Sequence, residues 1–131
     1  MQFADKILAA IDLPPVDTGA IPEWNIKAGE LFQRGMTGLE RRKFELLFLP
    51  DSMGNRPEGD PRATAVAFTL CDSGGRRVFA DEQIPQLAAK NSAVLDRLYA
   101  AAVKLSGLEG AGDEDKIKNS EQTSGSGSSS D

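Results

Sequence analysis

Phe3, Ile7 and Ile11 recur every fourth residue with Leu8 beside them, which is the spacing of one helix face. Pro14 and Pro15 must stop that helix, because neither carries the backbone N–H that would continue its ladder. After a connection rich in Pro, Asp, Thr and Gly, Trp24 and Ile26 alternate, the chain turns at Ala28-Gly29, and Leu31 resumes. That pattern predicts a small β-hairpin. Thr37 and Glu40 stand at the spacing of a capping box and open a predicted helix over TGLERRKFELLFL. Its last turn, residues 46–49, is apolar all round. Phe44, Leu46 and Phe48 would also alternate on a strand, but the helix is the favoured reading and places this turn deep in the core.

Residues 50–61 contain three prolines, two glycines and no periodicity, so they read as a surface loop. In RATAVAFTLC, Ala63, Val66, Ala67 and Leu70 form a helical stripe while Val66, Phe68 and Leu70 form a strand face; the alanines favour helix. The clearest element comes last. Ser92 is placed to cap a helix that carries Leu95, Leu98, Tyr99, Ala102 and Leu105 on one face, and Gly107 with Leu108 reads as its ending signal. The expected fold is therefore α+β and mainly helical: a small N-terminal β-hairpin and a bundle of about four to five short helices. Residues 1–108 would form one globular domain.

From residue 109 the pattern disappears. Residues 109–131 hold one large apolar residue, Ile117, with six acidic residues and two lysines, a net charge of −4. Such a segment buries too little surface to offset the entropy of ordering, so a disordered acidic Gly/Ser-rich tail is expected. The whole chain carries −5, which leaves −1 for residues 1–108. A net negative chain with 15 Lys and Arg against 20 Asp and Glu argues against nucleic-acid binding, which needs a cationic excess. Arg41, Arg42 and Lys43 are consecutive, so on a helix they point about 100° apart and make a solvated surface rather than a stripe. No run approaches the roughly 20 apolar residues of a membrane span, and the N-terminus is too charged for a signal peptide, so a cytoplasmic protein is expected.

Candidate chemistry is sparse. The sequence has no histidine, which removes the commonest general base and transition-metal ligand, and its single cysteine, Cys71, permits no intrachain disulfide. The stretch LCDSGGRRVFADEQI, residues 70–84, sets three acids around a double glycine and invites comparison with a calcium loop. Counted from Asp72, the ligand and glycine places of that template fall to Gly74, Arg76, Arg77 and Gln83. Two arginines would repel the cation and the closing glutamate is missing. The residues read instead as a tight turn at Asp72-Ser73-Gly74-Gly75, a short extended piece anchored by Phe79, and a helix capped by Asp81 with Pro85 in its first turn. Glu40 with Glu45 and Asp81 with Glu82 suit solvation or helix dipoles better than acid/base work. No catalytic, cofactor-binding or metal-ligating residue is assigned, no cofactor is expected, and partner-binding residues are not distinguishable from sequence.

The order of IPEW, MTGLERRKFE, LCDSGGRRVFADEQI, AAAVKLSGL and KNSEQT resembles the tail assembly chaperones of long-tailed bacteriophages, the lambda-type system. The likeness spans residues 19–123, with CD..G..VF.D at 71–81 and KLSGL at 104–108 its most specific parts. The resemblance implies a non-enzymatic protein of the host cytoplasm that holds the tape measure protein soluble and is absent from the mature virion. It also implies a longer product, made by programmed ribosomal frameshifting, that recruits the tail tube protein. The oligomeric state stays open, a homo-oligomer included. The alternative from another class is a structural neck or tail-completion subunit of the virion. A generic protein-binding adaptor and an enzyme built only on carboxylates stand behind it.

Overall fold

A computed structural model describes residues 2–108, and the tail expected to be disordered, residues 109–131, lies outside the described residues. Its central element is a helix that Asp60 starts. The Asp60 carboxylate accepts the N–H groups of Arg62 at 3.0 Å and Ala63 at 3.4 Å, and Pro61 sits in the first turn, where no N–H is needed. This helix, α3 (Pro61–Thr69), is buried at every residue from Ala63 to Thr69. Three alanines let its neighbours approach closely, and the chain passes directly into a strand, β3 (Leu70–Cys71). The favoured helix reading of RATAVAFTLC therefore holds through Thr69, while the alternative strand face of Val66, Phe68 and Leu70 does not form, since only Leu70 and Cys71 are extended.

Five helices and one three-stranded antiparallel sheet make up the described body. Ahead of α3 come α1 (Phe3–Ala9), β1 (Val16–Asp17), β2 (Phe32–Gln33) and α2 (Gly38–Leu46); after β3 come α4 (Ile84–Ala88) and α5 (Ser92–Leu105). The sheet order is β1-β2-β3, with Val16 opposite Gln33 and Phe32 opposite Cys71. Helix α3 separates two apolar clusters. On one side Val66, Ala67 and Leu70 pack with Ile21, Leu87, Val94, Leu95 and Leu98; on the other Ala65 and Phe68 pack with Met36, Phe44, Ala102 and Leu108. Gln33 ties the layers together from within: its Nε2 donates to Thr69 Oγ1 at 3.0 Å and to the Leu98 carbonyl at 2.8 Å. These bonds satisfy a buried amide that would otherwise be costly.

The predicted hairpin has different strands. Gly29 does turn, at φ +85°, but the paired segments are β1 and β2, and Trp24 lies in a 3-10 turn at Pro22–Trp24. Asp17 explains the change. Its Oδ1 accepts the N–H groups of Gly19 at 2.9 Å and Gly29 at 3.0 Å, which draws both ends of the intervening loop to the end of β1. Within the loop, Ile21 and Ile26 exchange backbone hydrogen bonds, and Ile21 is driven fully into the core.

Helix α2 carries the expected capping box: Thr37 Oγ1 accepts the Glu40 N–H at 3.1 Å, and Glu40 Oε1 accepts the Thr37 N–H at 2.9 Å. Its final turn contradicts expectation. Leu46, Phe48 and Leu49 are exposed, because α2 buries only Phe44 and the 50–60 loop that follows offers no cover. Two caps also move. Asn91, one residue before Ser92, accepts the N–H groups of Ala93 and Val94 and starts α5. Gln83 rather than Asp81 closes back on the Ala80 N–H, at 2.8 Å, because Asp81 pairs with Arg77.

The end of α5 follows the predicted signal. Gly107 takes φ +74°, its N–H reaches the Lys104 carbonyl at 3.2 Å, and the Leu108 N–H reaches Val103 at 2.9 Å. Leu108 folds back into the second cluster.

Candidate functional site

The acidic double-glycine stretch is a clasp between elements. Asp72 Oδ1 accepts the N–H groups of Gly74 at 2.9 Å and Arg76 at 3.0 Å, and Gly75 takes φ +86°. Those bonds, the Arg76 N–H first, hold the Asp72 carboxyl below the usual carboxylate range. Arg34 grips the turn from inside. Its Nε donates to the Gly75 carbonyl at 2.9 Å, while its guanidinium also reaches the Gly35 carbonyl at 2.8 Å and Glu40 at 3.0 Å. Arg77, just past the turn, ties the chain to α3 instead, with Nε donating to the Ala67 carbonyl, a terminal nitrogen to Asp81 at 2.8 Å, and its charge 4.9 Å from the Phe68 ring centre.

The donor set therefore serves the fold. Among the described residues no group of three or more His, Cys, Asp or Glu is placed to hold a metal. Cys71 is fully buried, and burial pushes its thiol up, away from the thiolate form that reacts. Glu40 and Glu45 do not converge: Glu40 binds Arg34, and Glu45 pairs with Arg41 at the surface, 3.1 Å away. The groove of about 130 Å³ between β1 and α5, lined by Val16, Asp17, Gln33, Arg97 and Leu98, is smaller than ligand pockets of about 300 Å³ or more, while hollows of about 350 Å³ beside Pro22, Ile26 and Lys27 and about 290 Å³ between Ile11, Leu13, Arg34 and Thr37 reach that order. No helix among the described residues is long and apolar enough to cross a membrane.

What stands out instead is apolar surface facing solvent. The predicted amphipathic helix exists as α1, yet it buries no residue: Phe3, Ile7, Leu8 and Ile11 are 68 to 87% exposed. It makes no side-chain hydrogen bond or ion pair with the described body, which the chain first enters around Leu13 and Pro15. A second apolar group lies on α2 and just beyond it, at Leu39, Leu46, Phe48, Leu49 and Met53, with Arg42 and Lys43 exposed among them. Helical periodicity revealed the apolar face of α1 but not whether anything would cover it. Pro14-Pro15, which uncouples α1 from the body, was the available signal.

No protein-family model matches the chain, and no curated protein matches its sequence. A solved structure does match its shape: that of the bacteriophage HK97 tail assembly chaperone, at 18% identity and a TM-score of 0.52, over 79% of this chain and 93% of that one. Mainly helical, with a three-stranded antiparallel sheet, the chain has the fold of that phage tail assembly chaperone.

Proposed function

We propose that this chain is a tail assembly chaperone of a long-tailed bacteriophage, which binds the tape measure protein in the host cytoplasm and assists tail tube assembly without entering the virion. The fold shared with the HK97 protein over most of both chains carries this reading. Two physical features support it. A holder of a long apolar client needs exposed apolar surface, and Phe3, Leu8, Leu49 and Met53 supply it. It must also stay soluble while exposing that surface, and a net charge of −5 favours this. The role needs no catalytic step and no cofactor.

The direct test is co-expression with the large reading frame downstream in the same genome. Soluble recovery of that product in complex with this chain is the expected result. Its precipitation beside a folded, soluble chain would overturn tape measure binding, and recovery of the chain from purified virions would favour the neck-subunit alternative. A longer product that engages the tail tube protein belongs to the same proposal. In it, residues 1–108 form the shared domain and the frame change falls near KIKNS, residues 116–120, since Lys118-Asn119 can be encoded by a slippery run of adenines. Mass spectrometry that finds only the 131-residue product, with the overlapping frame closed by stops, would remove the two-product version.

A further inference from the structure

The sheet has one open edge. On the far side of β3 the chain covers its own strand, where Arg77 bridges to Cys71 and the Val78 N–H reaches the Leu70 carbonyl at 3.2 Å. Beyond β1 there is no further strand among the described residues. The Thr18 N–H donates to the Leu31 carbonyl at 3.0 Å, so Val16 and Thr18 turn their backbone groups toward β2, and Asp17 between them turns its N–H and carbonyl outward. An uncovered edge invites pairing with other chains unless something lies over it.

Beside this edge runs the groove of about 130 Å³ between β1 and α5. One wall is the α5 stripe of Arg97, Ala101 and Leu105, each four residues from the next, and Val16, 48% exposed, lines the other. Arg97 is exposed and has no ion-pair partner among the described residues. The described body ends at Leu108, just past Leu105, and residues 109–131 follow. In that segment Asp115 and Ile117 are two apart, so on an extended backbone they share one side about 6.6 Å from each other, with Lys116 and Lys118 on the opposite side. Arg97 and Ala101 are about 6 Å apart along α5. We infer that residues 113–118 lie along the β1 edge of the same copy, with Asp115 on Arg97 and Ile117 in the groove against Val16 and Ala101.

Reach and charge both favour the chain's own tail as the occupant. From Leu108 to Asp115 an extended chain spans up to about 24 Å, against about 16 Å from Leu108 back to Arg97 along α5. Gly110 and Gly112 allow the reversal. Residues 109–131 carry a net charge of −4 and meet an unpaired guanidinium, while the Asp17 carboxylate on the same edge is already held by the Gly19 and Gly29 N–H groups. A short linker sets an effective concentration on the order of millimolar, so a contact too weak to capture a free peptide is occupied within one copy. The contact is separate from tape measure binding and does not depend on it.

The test uses the full chain. Cys71 is buried, so a cysteine introduced by Ser120→Cys takes a nitroxide spin label selectively. In amide NMR spectra Val16, Asp17 and Ala101 should lose most of their intensity relative to the reduced label. Spin-labelled chain mixed with isotope-labelled chain that carries no spin label should show no such loss, because the contact is made within one copy. Arg97→Asp or Asp115→Arg alone should abolish the loss, the two together should restore it, and Ile117→Ser should weaken it. Arg97 is exposed, so a dispersed amide spectrum should confirm an intact fold in its variant. Unperturbed amides along β1 in the parent would overturn the inference. So would a loss seen only between copies, a loss indifferent to Arg97→Asp or Ile117→Ser, or a charge swap that fails to restore it.

Discussion

Arg34 and Glu40 meet at 3.0 Å with side chains only 9% and 12% exposed, and through them the Asp72 to Gly75 turn, β2 and the first turn of α2 are fastened at one point. Burial opposes ionisation of Glu40, but the Arg34 guanidinium and the Thr37 N–H outweigh it and hold the carboxyl below its usual range. A carboxyl depressed in the folded state stabilises fully above the unfolded glutamate range, and that stability is lost as pH falls through the folded value. Glu40→Gln should therefore cost about 1–3 kcal/mol at neutral pH. It should also flatten the acid limb of stability against pH, which urea melts from pH 7 to pH 3 would read.

Leu98 is 3% exposed on the α5 face that packs on α3, so Leu98→Ala should cost roughly 2–5 kcal/mol in a denaturant melt. Phe48 is 45% exposed and touches Phe44 edge to face at 5.2 Å. Phe48→Ala should therefore cost no more than about 1.5 kcal/mol, the scale of one aromatic pair.

Gly35 and Gly38 separate close packing from open space. A β-carbon at Gly35 would lie 2.6 Å from the Leu105 carbonyl oxygen, a backbone atom that cannot swing aside, whereas one at Gly38 would meet nothing within 4 Å. Gly35→Ala should destabilise by about 1–3 kcal/mol. Gly38→Ala, in the first turn of α2, should stabilise by about 0.4–1 kcal/mol by restricting the unfolded chain, and thermal melts of the pair give the comparison.

Millimolar calcium should leave the melting temperature unchanged, because Asp72 Oδ1 is already engaged by two backbone N–H groups and Arg76 and Arg77 stand where ligands would be needed. A calcium-dependent rise would contradict the clasp.

Local rules were legible wherever one residue's chemistry had one target. Thr37 with Glu40, Gly107 with Leu108 and the turn at Asp72 all act within five residues, and each takes the predicted form. Reading failed where another partner competed for the same group. Asp81 was free to cap until Arg77 claimed it, and the hairpin strands were reassigned once Asp17 gathered Gly29 from twelve residues away. Exposure was the least legible property. The apolar turn at Leu46 to Leu49 and the apolar face of α1 look like core in sequence, because periodicity records which side of a helix is apolar and not what lies opposite it.

Helix α3 also sets an order of events during synthesis. Its largest packing partner is α5, and Leu108 closes the second cluster, so a nascent chain that has reached only the 72–75 turn has α3 but none of the α5 residues that cover it. Native closure must wait until residues 92–108 have left the ribosome. Until then the alanine-rich segment lacks the cover that Val94, Leu95, Leu98 and Ala102 give it in the folded chain. Slow decoding immediately after residue 108 would lengthen the time available for α5 to seat before release.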